Sequence, residues 1–388
     1  MPFWSKSKFQ PGGKICYITG GSSGLGKALA GDMLKQGASV TILARDIKKL
    51  QEAEEELKPL VLPGQKLQII SADLMSSKTS SEALDQAIEF HGRIPEYIFN
   101  CAGFSQPRFL VDSTPEDWQK GLDGTYWVQA WTAFVGSSPL PLLNLLSLSS
   151  DSNTHCTVHI RNIPKHTQLS FDRIDPLEIL HKTRKHVPGT TSVQDELYAE
   201  EILMIDNQAA IKKMISHRVK GKIIFVSSFL GYTSFVGYTS YSPGKYALRG
   251  LADALRSEML LHNVDIHIYM SAGIDSPGFV EENKTKPEIT KKIEEGDSPI
   301  SPEECSRLLI RGLNKNHYQI ISHLVTDLMR MTSKGAVPGN NVVVDFFLWL
   351  ISGPGVPVWR MITDWQIRRA RVGVERDLVV KGFYEVGK

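Results

Sequence analysis

Apolar residues in this chain fall into short continuous runs that are separated by stretches of helical periodicity. The runs are rich in β-branched and aromatic residues, which is typical of strands buried on both faces of a sheet. Such strands are predicted at residues 14–19, 38–44, 66–73, 94–100, 222–226 and 264–270. Between them, apolar residues recur every three or four positions, as in amphipathic helices. This alternation predicts an α/β fold, with a doubly wound parallel sheet and helices on both of its faces.

Residues 136–205 depart from the alternation. A stretch rich in Ser, Leu and Pro is followed by a polar, His-rich segment, and neither has a clean period. Helical patterns flank the segment at residues 117–134 and 207–219, so it interrupts what would otherwise be one helix. Structureless insertions of this length are uncommon inside a compact domain. We therefore predict an atypical, disordered insertion that divides a domain formed by residues 14–135 and 206–330.

The C-terminal region, residues 331–388, contains the most apolar stretch of the chain, at residues 342–358. That stretch is shorter than the roughly 20 residues of a straight membrane span and carries Asp345, prolines and glycines. Nearby tryptophans and arginines suit a lipid interface. We predict a membrane-associating hairpin, with an amphipathic core element or a dimer face as the alternative.

Composition narrows the class of protein further. The 388 residues include 44 Lys and Arg against 42 Asp and Glu, which gives no strong positive field for nucleic acid. The four cysteines form no Cys-x-x-Cys pair, so neither a disulfide framework nor a metal site is expected, and a reduced cytosolic setting fits better. Residues 1–13 contain no apolar run and are predicted to be a tail without a signal peptide.

A glycine-rich segment, Gly20-Gly-Ser-Ser-Gly24-Leu-Gly26, connects the first predicted strand to the first predicted helix. Strand, glycine turn and helix in this order form the context of a dinucleotide-binding fingerprint. Glycines allow the backbone to approach a pyrophosphate, and the helix N-terminus supplies N–H donors and a favourable dipole. The sequence therefore predicts a Rossmann-type nucleotide site at this turn.

The end of the second predicted strand indicates which dinucleotide would bind. An NAD site favours a carboxylate about 20 residues after the glycines, whereas this chain has Ala44 followed by Arg45. Arg45, with Lys49 one helical turn later, suits the additional phosphate of NADP. The alternative is that Arg45 and Lys49 only form the solvated, basic start of a helix. The carboxylate of the adjacent Asp46 weighs against a phosphate site. Asp73, which ends the third strand, is placed to accept a hydrogen bond from the adenine amino group.

A serine pair, Ser227 and Ser228, ends one strand, and Tyr241 and Lys245 lie four residues apart at the start of a helical pattern. Residues at this spacing share a helix face. A phenol has an ordinary pKa of about 10, and a nearby ammonium lowers it toward the working range of an acid–base catalyst. A serine hydroxyl can bind a carbonyl oxygen on which charge develops. Residues 279–304 are charged and are predicted to be a mobile cover over a substrate.

Taken together, these motifs resemble the short-chain dehydrogenase/reductase family over residues 13–283, apart from the insertion. The resemblance implies a sheet that is complete before residue 304. The resemblance rests on Thr19-Gly-x-x-x-Gly-x-Gly26, Asn100-x-Ala-Gly103, Ser228 and Tyr241-x-x-x-Lys245. It implies that Tyr241 is the proton donor, that Lys245 lowers its pKa and holds the nicotinamide ribose, and that Ser228 orients the carbonyl, with Ser227 not excluded. It also implies an NADPH site, formed by Gly20, Ser22, Ser23, Gly24, Gly26, Arg45, Lys49, Asp73, Leu74, Tyr241, Lys245 and Ile274.

Within this family, residues 239–242 and 275–283 resemble the fungal reductases that act on the 3-keto group of a long-chain sphingoid base. This closer resemblance implies a long-chain lipid ketone as substrate and a location at the endoplasmic reticulum membrane, with the active site facing the cytosol. It also allows a homo-oligomer. Two alternatives remain: a reductase of another lipid ketone, such as a steroid or retinoid, and a non-catalytic nucleotide-binding variant inactivated by the insertion.

Two further departures from the family pattern affect the expected site. Thr125 stands where the family often has an asparagine in its proton relay, and its hydroxyl is expected to hold a water molecule in place of the amide. After the sixth strand, Ser271-Ala-Gly273 replaces the usual proline-containing sequence, which is expected to loosen the nicotinamide pocket.

Overall fold

The computed structural model describes residues 9–134, 146–150, 156–160, 210–295 and 298–381. The chain forms two compact units. One combines the residues up to 136 with those from 209 onwards, and the other lies within residues 137–208.

The first unit is built on a seven-stranded sheet, in which every strand pairs in parallel with its neighbours. Its strands, with the order β3-β2-β1-β4-β7-β8-β9, are β1 Ile15–Thr19, β2 Ser39–Ala44, β3 Leu67–Ser71, β4 Tyr97–Asn100, β7 Gly221–Ser228, β8 Val264–Ser271 and β9 Gln319–Ile321. The central strands are buried on both faces because helices cover both sides, as the continuous apolar runs predict. The predicted α/β fold class is confirmed.

The helices of this unit are α1 Gly24–Lys35, α2 Ile47–Leu57, α3 Ser77–His91, α4 Pro115–Leu122, α5 Val128–Phe134, α6 Ala210–Ser216, α7 Ser242–Met259, α8 Pro277–Thr285, α9 Glu288–Ile293, α10 Pro302–Asn314, α11 Leu324–Ser333 and α12 Val342–Val380. A π-helical turn, Asp123–Trp127, joins α4 to α5. From β1, the chain order runs outward through β2 and β3 on one side and through β4 and β7 on the other. Such a switch point opens a crevice at the carboxyl ends of the strands.

The expectation that the sheet is complete before residue 304 is wrong. Strand β9 pairs in parallel with β8 and adds a seventh strand at the edge. Helix α10 precedes it and buries Cys305, Leu309 and Leu313 in the core. A strand of three residues is too short to show a period, which is why the sequence pattern does not reveal it.

Residues 279–304, predicted as a mobile cover, are largely helical. Helix α8 begins after Ser276, whose hydroxyl accepts a hydrogen bond from the backbone N–H of Phe279. Helix α9 follows, and α10 begins after Ser301, which caps the N–H of Glu304. Serine at the N-cap followed by proline is a helix-start signal that recurs at both positions.

The hairpin predicted for residues 342–358 is also wrong, because α12 is one continuous helix of 39 residues that contains Pro354 and Pro357. One helical face of its first half packs on the domain and overrides the turn signals. This face is formed by Asp345, Leu348, Ser352, Val356, Trp359 and Thr363. The opposite face is apolar and exposed. Within the described residues, α12 is the one helix that is long and apolar enough to cross a membrane by length and composition.

The second unit contains an antiparallel pair of strands, β5 Leu146–Ser150 and β6 Cys156–Ile160. Leu146 pairs with Ile160 at one end, and Ser150 pairs with Cys156 at the other. The remainder of the predicted insertion at 136–205 lies outside the described residues, as do residues 1–8 of the predicted tail. Disorder of the insertion therefore stays a prediction.

Candidate active site

A cavity of about 590 Å³ opens at the carboxyl ends of the central strands. All the site residues predicted from the sequence line this one cavity, although they come from segments spread over more than 250 positions. They are Gly20, Ser22, Ser23, Gly24, Gly26, Arg45, Lys49, Asp73, Leu74, Ser227, Ser228, Tyr241, Lys245 and Ile274.

The glycine turn between β1 and α1 has a backbone that only glycine tolerates well. Gly20 and Gly24 have φ values of 67° and 52°, in the left-handed region. A Cβ at Gly26 would collide with the carbonyl oxygen of Gly20. Ser23 is the N-cap of α1 and makes no capping hydrogen bond through its side chain. The first N–H groups of α1 thus lack a capping partner and face a cradle that fits a pyrophosphate.

Arg45 and Lys49 both line the cavity, and Arg45 directly follows β2 while Lys49 lies in the first turn of α2. The carboxylate of Asp46, which weighed against an additional phosphate, is engaged locally as the N-cap of α2. Its Oδ1 accepts hydrogen bonds from the N–H groups of Lys48 and Lys49 at 3.0 and 3.3 Å. This part of the cavity therefore presents two cationic side chains and a carboxylate that is already hydrogen-bonded to its own helix.

Asp73 and Leu74 form the turn after β3. The carboxylate of Asp73 accepts a hydrogen bond from the N–H of Met75 at 3.1 Å, and Leu74 is buried. Ile274, which also lines the cavity, forms a parallel bridge with Ile300. These contacts fix two parts of the cavity lining.

Tyr241 immediately precedes α7, and Lys245 lies one turn into that helix. The hydroxyl of Ser228, at the end of β7, accepts a hydrogen bond from the N–H of Leu230 at 3.2 Å. The same hydroxyl is near enough to the Tyr241 phenol to lower its pKa. The predicted serine, tyrosine and lysine are therefore adjacent in space.

The structure distinguishes Ser227 from Ser228, which the sequence leaves as equivalent candidates. Ser227 Oγ donates to the backbone carbonyl of Lys245 at 3.4 Å, and its side chain is buried. Successive side chains of a strand point to opposite sides, so Ser227 turns away from the phenol when Ser228 faces it. Of the two, Ser228 is the one whose hydroxyl lowers the pKa of Tyr241.

We expected Lys245 to lower the pKa of Tyr241, but other groups determine the direction of its shift. Burial raises the pKa of Tyr241, the charge of Glu282 raises it further, and the hydrogen bond with Ser228 opposes both. Burial also lowers the pKa of Lys245 to about 8, with Cys101 opposing. The Lys245 Nζ donates to the carbonyl of Val226 at 3.0 Å and lies 5.6 Å from the centre of the Tyr241 ring. The phenol therefore keeps its proton at neutral pH.

Gln129 is a site-supporting residue that the sequence analysis does not identify. Its amide donates to Val226 O at 2.7 Å and to Ala102 O at 3.3 Å, and its oxygen accepts from Val226 N at 3.0 Å. Strand β4 ends opposite Phe225, so no neighbouring residue of β4 pairs with Val226. The glutamine side chain supplies the missing hydrogen bonds and holds the carbonyl that Lys245 uses. Its position one helical turn after Thr125 is the only sequence signal for it.

Thr125 does not present a free hydroxyl proton to the site. It lies buried in the π-helical turn, and its Oγ1 donates to the carbonyl of Gly121 at 2.7 Å. Gly244 of α7 packs directly against this hydroxyl, where a Cβ would collide with it. Thr125 therefore helps to pack α7 against the turn, and the expected water-holding role of its hydroxyl can involve only its acceptor side.

A buried ionic cluster lines the cavity beside Tyr241 and was also not predicted. The Tyr238 hydroxyl lies 2.8 Å from Glu282 Oε1 and 2.6 Å from Glu294 Oε1. Lys286 Nζ lies 2.6 Å from Glu294 Oε2 and 3.1 Å from Glu282 Oε1, and its side chain is 1% exposed. The sequence signal was the Glu-Glu-Asn segment at residues 281–283, to which no role was given. Among the described residues, no group of three or more His, Cys, Asp or Glu side chains could hold a metal ion.

Comparison with known proteins agrees with this geometry. The family described as short chain dehydrogenase matches residues 14–125 and 203–287. A 3-ketodihydrosphingosine reductase of Cryptococcus neoformans is 44% identical over 387 residues, which covers 99% of this chain and 93% of that protein. A 3-ketodihydrosphingosine reductase of Aspergillus fumigatus is 29% identical, with 88% and 80% of the two chains covered.

Solved structures share the fold at lower sequence identity. A short chain dehydrogenase/reductase from Burkholderia phymatum, in complex with NAD, superposes with a TM-score of 0.56 at 15% identity and covers 83% of this chain and 94% of its own. The family match spans half of the sequence and includes the glycine turn, Ser228, Tyr241 and Lys245. This chain belongs to the short chain dehydrogenase family.

Proposed function

We propose that this protein reduces the 3-keto group of 3-ketodihydrosphingosine to a hydroxyl group, with NADPH as the reductant. The observation that carries the proposal is a cavity in which Ser228, Tyr241 and Lys245 converge, in a chain that is 44% identical along 99% of its length to a reductase named for that substrate. The reaction is carbonyl reduction, in which a proton must reach the oxygen as a hydride reaches the carbon.

A nicotinamide cofactor fits the residues at the glycine turn. When bound, it supplies the hydride. The uncapped N-terminus of α1 would hold the pyrophosphate, and the turn is built so that no side chain blocks its approach. Arg45 and Lys49 would hold the 2′-phosphate that distinguishes NADPH from NADH, since both are cations at the cavity wall and Ala44 occupies the place of an NAD-type carboxylate.

Side chains of this protein supply the proton that the carbonyl oxygen receives. Tyr241 is protonated at neutral pH because burial raises its pKa, so it can donate to the carbonyl oxygen. Ser228 is near enough to the same phenol to lower its pKa and is placed to bind that oxygen as negative charge develops on it. The Lys245 ammonium, fixed by Val226 O, adds positive charge behind the phenol and is placed to contact the ribose.

We propose further that the protein is attached to one face of the endoplasmic reticulum membrane, with its active site in the cytosol. Helix α12 is tied to the domain at its start by Asp345 with Arg330, in its middle by Arg360 with Ser234 O at 2.9 Å, and at its end by Lys381 with Asp112 at 2.8 Å. These contacts hold α12 against the domain along its length, which favours a position on the membrane surface over a bilayer span. Its exposed apolar face instead suits an interfacial position, close to a lipid substrate.

The experiment that tests the activity is NADPH oxidation by the full-length protein in detergent or liposomes, with 3-ketodihydrosphingosine as substrate. A steroid ketone and retinal serve as competitors from the other lipid classes. We expect kcat/KM to be highest for the sphingoid ketone. A higher value for a steroid or retinoid would reassign the substrate, and no turnover of any ketone by protein that binds NADPH would support the non-catalytic alternative.

A further inference from the structure

The ionic cluster beside Tyr241, formed by Tyr238, Glu282, Lys286 and Glu294, has an unbalanced charge. With both carboxylates and the ammonium ionised, its two negative charges face one positive charge. The cluster lines the catalytic cavity and is mostly buried, with Lys286 almost fully shielded from water. A buried net charge is costly unless a counter-charge and hydrogen bonds compensate it.

The hydrogen-bond donors of the cluster are also too few. The Tyr238 phenol has a single proton, yet one oxygen of each glutamate lies within 2.8 Å of its oxygen. Lys286 donates a hydrogen bond to Glu294 and forms an ion pair with Glu282 at 3.1 Å. One close contact between the phenol and a carboxylate therefore lacks its own proton, and one more cationic donor would complete the set.

The location of the cluster relates this deficit to the reaction. The rings of Tyr238 and Tyr241 are 5.9 Å apart between centroids, and Glu282 is near enough for its charge to raise the pKa of Tyr241. Any group that meets Glu282 in the cavity is therefore close to the phenol that donates the proton. In 3-ketodihydrosphingosine, the carbon next to the carbonyl carries an amino group, which is a cation when protonated.

We propose that Glu282, supported by Glu294, binds the ammonium group on the carbon adjacent to the reacting carbonyl. This inference rests on the proposed function and assigns the part of the substrate that the cluster recognises. The ammonium donates to the carboxylates and restores charge balance, while Lys286 and Tyr238 hold the two glutamates in position. The contact fixes the carbonyl against Tyr241 and favours long-chain α-amino ketones over neutral lipid ketones.

A purely structural role for the same cluster makes a different prediction. The cluster ties α8, the end of α9 and the loop before Tyr241 together, so removal of a carboxylate could loosen the cavity. Loosening would impair every ketone, whereas loss of ammonium recognition would impair only amino ketones. The two roles are separated by a substrate that lacks the amino group.

The experiment compares 3-ketodihydrosphingosine with the matched ketone in which hydrogen replaces the amino group. Wild-type protein and Glu282→Gln are assayed with both, and Glu288→Gln, whose side chain is 88% exposed, is the control. We expect Glu282→Gln to lower kcat/KM for the amino ketone about tenfold to a hundredfold, the range for a hydrogen bond to a charged group, and to leave the other ketone nearly unchanged. An equal loss on both ketones would overturn the proposal, and so would an unchanged variant.

A second measurement uses the wild-type protein and does not depend on the stability of the variant. A long-chain primary amine should inhibit the reaction competitively with 3-ketodihydrosphingosine, and the alcohol of the same chain length should inhibit much less. Equal inhibition by amine and alcohol would also overturn the assignment. Failure of the wild-type protein to reduce either ketone would instead count against the proposed function.

Discussion

Arg330 and Asp345 form a buried ion pair that fastens α12 to α11, with Nη2 of the arginine 2.6 Å from Oδ1 of the aspartate. Their side chains are 1% and 7% exposed, and Asp345 also accepts a hydrogen bond from the N–H of Asn340 at 3.1 Å. Burial opposes ionisation of Asp345, but the hydrogen bond and charge of Arg330 outweigh it and hold the pKa below its ordinary value. The apolar helix is thus anchored at its first turn by a charge inside the protein.

Loss of this pair should destabilise the fold. Replacing Asp345 by Asn leaves the buried Arg330 with Asp327 as its remaining carboxylate partner, and we expect a loss of about 1.5–3 kcal/mol in the free energy of unfolding, the range for a hydrogen bond to a charged group. Denaturant titration in detergent measures it. Asp364→Asn removes a pair with Arg360 that is nearly half exposed and should change stability by less than about 1 kcal/mol. Equal effects of the two substitutions would contradict the buried anchor.

The same pair predicts how stability depends on pH. Because the folded pKa of Asp345 is depressed, its contribution is fully present above the pKa of the unfolded chain, about 3.9, and is lost as pH falls through the folded value. The stability difference between wild type and Asp345→Asn should therefore be constant from pH 7 to 5 and should shrink below pH 4. A difference that grows on acidification would show that another group controls it.

Replacing Tyr241 by Phe removes the transferred proton and keeps the ring. We expect turnover to fall at least about a hundredfold, the lower range for general acid catalysis, while NADPH affinity stays within about twofold. Fluorescence titration of NADPH and single-turnover kinetics separate the two effects. Tyr246→Phe is the matched control, since Tyr246 lies on the same helix with 43% of its surface exposed. Near-normal turnover of Tyr241→Phe would remove Tyr241 from the mechanism.

The choice of cofactor should depend on Arg45. Arg45→Ala removes a charge-assisted contact to the 2′-phosphate, and we expect NADPH affinity to fall about tenfold to a hundredfold with little change for NADH. Lys48→Ala, an exposed lysine of α2 outside the cavity lining, controls for general electrostatics. If Arg45→Ala loses affinity for NADPH and NADH equally, Arg45 does not bind the 2′-phosphate.

Binding of NADPH should also weaken at alkaline pH because the pKa of Lys245 is lowered to about 8. Below that value the ammonium is charged and available to the ribose, and above it the charge is lost. Affinity measured without substrate should therefore decrease as pH rises from 7 to 9.5, which avoids titration of the substrate amine. In Lys245→Arg the guanidinium stays charged over this range, so its profile should be flat whatever its absolute affinity. A similar slope in both proteins would assign the titration to another group.

Membrane attachment should depend on the exposed face of α12. Phe346, Trp349 and Ile362 are each more than half exposed, and their joint replacement by Glu should release the protein from liposomes without loss of NADPH binding. Substitution is preferable to truncation after Lys334, because truncation would also remove Asp345 from Arg330. Retention of the triple variant on liposomes would show that this face does not hold the protein to lipid.

Attachment to one face of the bilayer also predicts topology. An epitope placed after residue 388 should be as accessible to protease in sealed microsomes as one placed before residue 1, since α12 begins and ends on the same domain. Protection of the C-terminal tag alone would indicate a spanning helix. Full-length protein that stays in the soluble fraction as a dimer would favour an oligomer face.

Local sequence was sufficient to predict the parts of the fold that depend on short-range patterns. The apolar runs identify the six longer strands because a strand buried on both faces needs apolar side chains throughout. Gly20, Gly24 and Gly26 identify the nucleotide turn because its backbone excludes other residues. Tyr241 and Lys245 lie together because one turn of a single helix separates them.

Contacts between distant segments were decided only in the tertiary structure. Whether Ser227 or Ser228 faces Tyr241 depends on which side of β7 α7 packs against, and the orientation of Lys245 depends on Val226, which Gln129 of α5 holds in place. Strand β9 is too short to carry a period and exists through its pairing with β8. Helix α12 is continuous because its docked face and the partner of Asp345 outweigh local turn signals, and that partner, Arg330, lies in another helix. Periodicity and backbone constraints act between neighbouring residues and can be read from the chain, whereas hydrogen bonds and ion pairs between remote segments form only when the sheet brings those segments together.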